Sequence, residues 1–166
     1  MKKNLIKILI TGGTIDNLEY SAEKDTPKNN HSLIPSLLKQ SRVTADVSFE
    51  VLMQKDSKFV TEEDRKFILR KCQEAKENMI VITYGTMTMS AMAQFLSKAN
   101  LNKTIVLLGA AIPGNRENSD ALFNLGSAMT AIQLLPQGVY ITMNGKVFSA
   151  GNVKKNLTTG FFEDLK

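Results

Sequence analysis

Two threonines flank a pair of glycines near the start of the chain, in the sequence Thr11-Gly12-Gly13-Thr14. The run before them, Leu5 to Ile10, is short, apolar and rich in isoleucine, which is typical of a buried strand. Glycines allow positive φ where the chain leaves the strand, and they let backbone amides approach a ligand closely. Two interpretations stay open at this point: a plain turn whose threonines satisfy backbone groups, or a ligand cradle that presents the Thr14 hydroxyl.

Two later apolar runs end in similar turns. Met79 to Thr83 is followed by Tyr84-Gly85-Thr86-Met87-Thr88, and Thr104 to Leu108 is followed by Gly109-Ala110-Ala111. A further predicted strand leads to Asp56-Ser57-Lys58. The carboxyl ends of parallel strands share one edge of a sheet, and ligands bind at that edge. The expected site is therefore rich in hydroxyl groups and backbone amides and contains no histidine.

A threonine nucleophile is the chemistry that these residue types favour. The single histidine, His31, lies in a polar segment far in sequence from the turns, which excludes a Ser/His/Asp relay. A lysine or a tyrosine can activate a threonine instead, provided that the lysine is partly desolvated or lies beside a charge. Lys154 and Lys155 are both candidates. Nucleotide binding is not expected, because a polar loop follows the first glycine pair and no phosphate-binding loop motif occurs.

The segments that must position these turns alternate between strands and helices. After the first strand, strands are predicted for Val47 to Met53, Met79 to Thr83, Thr104 to Leu108 and Val139 to Met143, and Asn144-Gly145 predicts a hairpin to Lys146-Val147-Phe148. Helices are predicted for Ser32 to Gln40 with Ser32 as cap, from Thr61 as N-cap to about Ala75, from the Tyr84–Met89 motif to about Lys98, and for Asp120 to Leu134. Asp16 to Asn30 is predicted to be a long, mobile loop that serves as a lid, and Asn152 to Thr159 a polar tail.

This alternation predicts one α/β domain over residues 1–166. The expected architecture is a doubly wound, Rossmann- or flavodoxin-like, mostly parallel sheet with helices on both faces and a C-terminal β-hairpin. The length of 166 residues is sufficient for a core of ordinary size.

Composition narrows the classes of partner. The net charge of +5 comes from basic residues that are spread along the chain, without a basic stripe interleaved with aromatics, so nucleic acid is not expected. No apolar run has the length of a membrane span, and the start of the chain lacks the pattern of a secretory signal. A single cysteine, Cys72, excludes an internal disulfide, and its helical spacing favours a packing role. A cytoplasmic protein without metal or cofactor is the expectation.

Taken together, the motifs resemble the bacterial L-asparaginase (asparaginase/glutaminase) family. The matching pieces are Thr11 to Ile15, Tyr84 to Met89, Gly109-Ala110 with Ser119-Asp120 and Asn124-Leu125, and Val153 to Asn156. The resemblance covers only the amino-terminal domain of the common two-domain enzymes and looks greatest for a short-chain branch. It implies a threonine-nucleophile amidohydrolase that converts a small, asparagine-like amide to the acid and ammonia.

The resemblance also implies roles for individual residues. Thr14 resembles the acylated nucleophile, and Tyr20 the tyrosine that assists it. Thr86 and Lys155 resemble the second threonine and its lysine, which activate the nucleophile or the attacking water. Ser57 resembles a contact to the substrate α-carboxylate, and the amides after Gly85 are expected to help form an oxyanion hole. The complete set expected to bind substrate is Gly13, Asp56, Ser57, Gly85, Met87 and Ala110.

Two positions depart from the family's pattern His-Gly-Thr-Asp-Thr-Met, because Tyr84 and Met87 replace the histidine and the aspartate. In the family, that aspartate pairs with the substrate ammonium and lies beside the lysine, and full-length members take another acid from their second domain. Asp16 or Asp56 is expected to substitute in part. Met87 therefore predicts weak activity or an altered substrate, and the alternative is a non-catalytic homologue that binds a small ligand.

A homo-oligomer is also expected, with a dimer as the default, because a short chain must shield its site without a second domain.

Overall fold

Helices alternate with strands along the chain. The computed structural model describes residues 5–16, 20–21, 24–27 and 31–165, and for residues 20–21 and 24–27 it describes the backbone only. The elements in chain order are β1 (Ile6–Ile10), β2 (Tyr20–Ser21), β3 (Lys24–Pro27), α1 (Ile34–Gln40), β4 (Val47–Val51), α2 (Glu62–Glu74), β5 (Met79–Thr83), α3 (Met89–Ser97), β6 (Thr104–Leu108), α4 (Ala121–Leu134), β7 (Gly138–Met143), β8 (Lys146–Ser149), β9 (Lys154–Lys155) and β10 (Phe162–Glu163).

The central sheet has the strand order β4-β1-β5-β6-β7-β8. All neighbours in it are parallel except β7 and β8, which are antiparallel and are joined by Asn144 and Gly145 at φ of 55° and 78°. Positive φ at both positions matches the tight hairpin that this dipeptide favours. The predicted doubly wound sheet with a C-terminal hairpin is therefore confirmed.

The chain changes direction across the sheet between β1 and β5. From β1 it moves outward to β4 at one edge, and it then crosses back to β5 on the other side of β1. In sheets of this flavodoxin-like order, the point where the direction reverses opens a crevice at the carboxyl ends of the two strands. The turns that follow β1 and β5 lie at this point.

Both faces of the sheet are covered because alternate residues of each strand point to opposite sides. Ile8 packs with the buried residues of α1 and α4, whereas Leu9 packs with those of α2 and α3. Met89 and Met92 are fully buried on the second face, as core filling rather than as part of a ligand site. Cys72 is also buried there, and burial raises the pKa of its thiol to about 12, which confirms its packing role.

The predicted start of α2 is confirmed in detail. The Thr61 side chain accepts from the Asp64 amide at 3.2 Å, and the Asp64 carboxylate accepts from the Thr61 amide at 2.9 Å. This reciprocal pair satisfies two amides that the helix itself cannot satisfy.

Three predictions for other segments need correction. The region expected to be one long loop contains β2 and β3, which pair antiparallel with Tyr20 opposite Pro27. The polar tail contains β9, which pairs with β10. The helix expected from Ser32 begins at Ile34, since the segment before it is held by a buried carboxylate, described below. The two strand pairs are local hairpins of two to four residues per strand in polar segments that lack a clear alternation, and the start of α1 depends on Asp16, 17 positions before Leu33.

Candidate active site

The turns after β1 and β5 meet through their glycines. Gly13 has a φ of 82°, and a Cβ at this position would lie 2.8 Å from the backbone nitrogen of Gly85. A Cβ at Gly85 would in turn lie 2.7 Å from the Cβ and Oγ of Ser57, in the segment after β4. Only glycine fits this contact without displacing backbone. Thr14 and Thr86 follow the two glycines directly, so the packing holds both threonines at the crevice.

Thr11 fastens the end of β1 to its neighbours. Its buried hydroxyl donates to the carbonyl of Thr83 at 2.6 Å, and its own carbonyl accepts from the Lys55 amide at 3.0 Å. The first threonine of the motif is therefore structural, whereas Thr14 is partly exposed.

The second threonine motif carries a lysine–hydroxyl pair. The Nζ of Lys155 donates to the Oγ1 of Thr86 at 2.7 Å and lies 3.7 Å from the Sδ of Met87. Burial lowers the pKa of Lys155, while the charge of Asp56 acts in the opposite direction. A lower pKa increases the fraction of neutral amine that can accept a proton. Lys155 and Thr86 thus form a hydrogen-bonded pair suited to proton transfer.

The short pairing of β9 with β10 selects Lys155 over Lys154. Successive residues of a strand point to opposite sides, and Lys154 forms an ion pair with Glu163 at 3.2 Å. Lys155 lies opposite Phe162, which is buried and packs against Phe148 with ring centroids 6.5 Å apart. The contact between Phe162 and Phe148 anchors the β9–β10 pair to the rest of the domain, which directs the Lys155 amine at Thr86.

A hydrogen-bonded layer beneath the motif is formed by Ser57, Tyr84 and Thr88. The Ser57 side chain is 1% exposed, and its Oγ accepts from the Thr88 amide at 3.3 Å while the Thr88 hydroxyl donates to the Ser57 carbonyl at 3.0 Å. Tyr84 is fully buried with its hydroxyl 3.4 Å from that of Thr88, and burial raises the pKa of the phenol. Tyr84 and Thr88 position the turn, a role that the motif spacing alone did not indicate.

Asp120 and Asn124 hold the turn after β6. The Asp120 carboxylate accepts from the amide of Ala111 at 3.0 Å, and the Asn124 side chain donates to the Gly109 carbonyl at 3.0 Å and to Asp120 at 2.8 Å. Ala110 is 1% exposed and its side chain belongs to the core. The Ala110 side chain is therefore not available to a ligand.

The two candidate substitute acids lie in different surroundings. Asp16 is buried and accepts from the Ser32 hydroxyl at 2.9 Å and the Leu33 amide at 2.5 Å, so it supports the start of α1. Burial raises the pKa of Asp16. Asp56 instead caps a short turn by accepting from the Lys58 amide at 3.1 Å, and it is the acid whose charge acts on Lys155. The structure therefore associates Asp56, and not Asp16, with the lysine.

Four further observations concern the site and the rest of the described chain. The side chain of Tyr20 lies outside the described part of the chain, so its role stays a prediction. Within the described ranges there is no group of three or more His, Cys, Asp or Glu side chains that could hold a metal ion. No described helix is long and apolar enough to cross a membrane.

An open apolar groove of about 640 Å³ on the outside of α4 contains none of the predicted site residues.

The chain is similar to asparaginases along nearly its whole length. The family model "Asparaginase, N-terminal" matches residues 5–162. A glutaminase-asparaginase from Pseudomonas fluorescens biotype A is 30% identical over 173 residues, which cover 95% of this chain and 48% of that protein. The thermostable L-asparaginase from Thermococcus kodakarensis has 27% identity and a TM-score of 0.81, with 96% of this chain and 51% of that chain covered. A probable cytoplasmic L-asparaginase from Campylobacter jejuni has 32% identity and a TM-score of 0.78, with 98% and 53% covered. The chain spans about half the length of these relatives.

Proposed function

The chain belongs to the asparaginase N-terminal family, and from this premise we propose that it is an amidohydrolase that uses Thr14 as its nucleophile. The observation that carries the proposal is the 2.7 Å hydrogen bond from Lys155 to Thr86, at a turn whose glycine abuts the glycine before Thr14. A lysine–threonine pair beside a partly exposed threonine hydroxyl is an arrangement suited to acyl transfer.

The reaction has two steps that balance without a cofactor. In the first, the Thr14 oxygen attacks the amide carbon, the carbon–nitrogen bond breaks, and ammonia leaves with the proton of the hydroxyl. In the second, water attacks the resulting threonine ester, which releases the acid and restores the hydroxyl. Backbone amides that follow Gly85 are proposed to stabilise the oxyanion that forms in each step.

Lys155 is proposed to be the base that drives these transfers through Thr86. A lysine accepts a proton only as the neutral amine, and partial desolvation makes that form accessible. Burial lowers the pKa of Lys155 in this structure, which supports the assignment. Tyr20 is proposed to assist Thr14, as the family resemblance implies.

Ammonia release from asparagine, glutamine and other small amides tests the proposal. Thr14→Ala, Thr86→Ala and Lys155→Met should each lower kcat by at least about 100-fold, because each removes a member of the proton-transfer or nucleophilic machinery. Thr130→Ala, at an exposed threonine of α4 outside the site, is the matched control and should leave the rate unchanged. Hydrolysis that survives Thr14→Ala, or its absence with all amides, contradicts the proposal.

A second function is favoured by one specific observation. Met87 is 55% exposed beside Lys155, at the position where the family pattern has an aspartate. A homologue with this change is proposed, as the alternative, to bind a small ligand without turnover. Calorimetric titration of amino acids and dicarboxylates, run beside the ammonia assay, separates the two functions, because only the alternative predicts binding with no ammonia release.

The assembly and compartment belong to the same proposal. We propose a single asparaginase N-terminal-type domain over residues 1–166 that works as a cytoplasmic homodimer and has a small amide as its partner. The Campylobacter jejuni protein described as a probable cytoplasmic L-asparaginase supports the compartment by analogy. Light scattering of the purified chain tests the assembly, since a monomeric mass at working concentration would contradict a dimer.

A further inference from the structure

The described carboxylates near the crevice are already engaged by protein groups. Asp16 accepts from Ser32 and Leu33 in the interior. The carboxylate of Asp120 accepts from two backbone amides of the turn after β6 and from the Asn124 side chain. Asp56 caps its own turn and exerts its charge on Lys155. Within the described part of the chain, Asp16 is buried and Asp120 already accepts from three donors, so a cationic ligand group would depend on Asp56, which already interacts with Lys155.

The groups closest to the Thr86 hydroxyl include no charged acceptor for a cation. The Lys155 amine lies 2.7 Å from the Oγ1 of Thr86, and the next residue, Met87, offers a thioether. A thioether sulfur is a weak acceptor without charge and cannot neutralise an ammonium group. An ammonium bound next to Lys155 would meet a second N–H donor and a thioether, and it would lose part of its hydration without a partner carboxylate.

We infer that the substrate is a short ω-amide that bears a carboxylate but no ammonium group, of the class represented by succinamate. This inference rests on the proposed amidohydrolase function and specifies its substrate. Lys155 supplies N–H donors and Thr14 and Thr86 supply hydroxyl groups, which suit the acceptor oxygens of a carboxylate-bearing amide. Replacing the α-ammonium of asparagine by hydrogen gives succinamate, so the pair of compounds isolates the contribution of that one group.

The steady-state comparison of succinamate with L-asparagine tests the inference. We expect kcat/KM for succinamate to exceed that for L-asparagine by at least about 30-fold, the effect of leaving one member of a desolvated charge pair without its partner. Equal values, or a preference for L-asparagine, would overturn the inference while leaving the amidohydrolase function intact.

Substitution at Met87 supplies the matched pair of variants. Met87→Asp places a carboxylate beside Lys155, at a position that is 55% exposed, and should shift the ratio of the two kcat/KM values about fivefold toward L-asparagine. Met87→Asn introduces a side chain of about the same size as aspartate but without its charge, so the ratio of the two kcat/KM values should continue to favour succinamate. A ratio that moves equally in both variants would show that shape, and not charge, sets the preference, which would overturn the inference.

A binding measurement separates failure of this inference from failure of the proposed function. Succinate and L-aspartate, the products of the two amides, are titrated calorimetrically into the Thr14→Ala variant, which does not require turnover. Binding of succinate at least about 30-fold tighter than L-aspartate supports the inference even if no amide is hydrolysed. Tighter or equal binding of L-aspartate, or no binding of succinate, overturns it.

Discussion

Replacing Gly13 with alanine should destabilise the domain by about 2–5 kcal/mol, which combines two separable effects. The first is backbone strain, because Gly13 has a φ of 82° and an L-residue there costs about 1–2 kcal/mol. The second is steric, because the new Cβ would lie 2.8 Å from the nitrogen of Gly85 and must displace backbone, at about 1–3 kcal/mol. For a chain of this size the sum corresponds to a fall in Tm of about 10 °C.

Two other glycines of the same chain serve as controls for the two effects. Gly160 has a φ of 78° and no atom within 4 Å of the position that a Cβ would take, so Gly160→Ala should show the strain alone, about 1–2 kcal/mol. Gly126 lies in α4 with equally open space, and Gly126→Ala should stabilise the helix by about 0.5–1 kcal/mol. Urea denaturation followed by circular dichroism gives the free energy of unfolding of each variant.

The same variants test whether the glycine contact sets the geometry of the crevice. A shift of the turn moves Thr14 relative to Thr86, and a displacement near 1 Å can lower the rate about 100-fold. Ammonia release by Gly13→Ala should therefore fall far more than that of Gly160→Ala when both are assayed well below their melting temperatures. If Gly13→Ala costs no more stability or activity than Gly160→Ala, the close backbone contact with Gly85 is refuted.

Three further predictions follow from single contacts. Because burial lowers the pKa of Lys155 below its ordinary 10.5, ammonia release should rise with pH through an apparent pKa below that value, and Lys155→Arg should abolish the rise in the pH–rate profile. Burial raises the pKa of Asp16 above 3.8, so the contribution of Asp16 to stability is present below pH 3.8 and is lost as the pH rises through the folded-state pKa. Asp16→Asn should remove this pH dependence from the urea midpoints measured between pH 3 and 8. An unchanged pH profile in this variant would contradict the prediction. Thr61→Ala should lower the free energy of unfolding by about 1 kcal/mol, because the Asp64 amide loses its acceptor, and a thermal melt that matches wild type would exclude the capping role.

The position of Met87 explains why the sequence motifs identify the family of this protein but not its substrate. Thr14, Thr86 and Lys155 follow the family pattern, and the proposed mechanism assigns them to the attack on an amide carbon. In the proposed site, Met87 would contact the part of the substrate away from the reacting bond, where a side chain can change without removing the nucleophile. The family can therefore be assigned from sequence while the substrate requires the proposed comparison of amides with and without an ammonium group.

Local sequence determined most of the elements of this fold. The runs that became β5 and β6 have the predicted bounds, because continuous apolar, β-branched residues favour buried strands. The capping box at Thr61 and the hairpin turn at Asn144-Gly145 are likewise short-range features whose geometry depends on a few adjacent residues. The alternation of these elements was sufficient to predict the doubly wound sheet.

Contacts between distant residues decided what the sequence left open. Residue type does not distinguish Lys154 from Lys155, and the family resemblance alone pointed to Lys155; the pairing of β9 with β10 directs Lys154 at Glu163 and Lys155 at Thr86, 69 positions away. Asp16 and Asp56 were equal candidates as well, and burial against the start of α1 separated them. Direction and burial of a side chain depend on the packing of segments far apart in the chain, so only the tertiary structure could assign them.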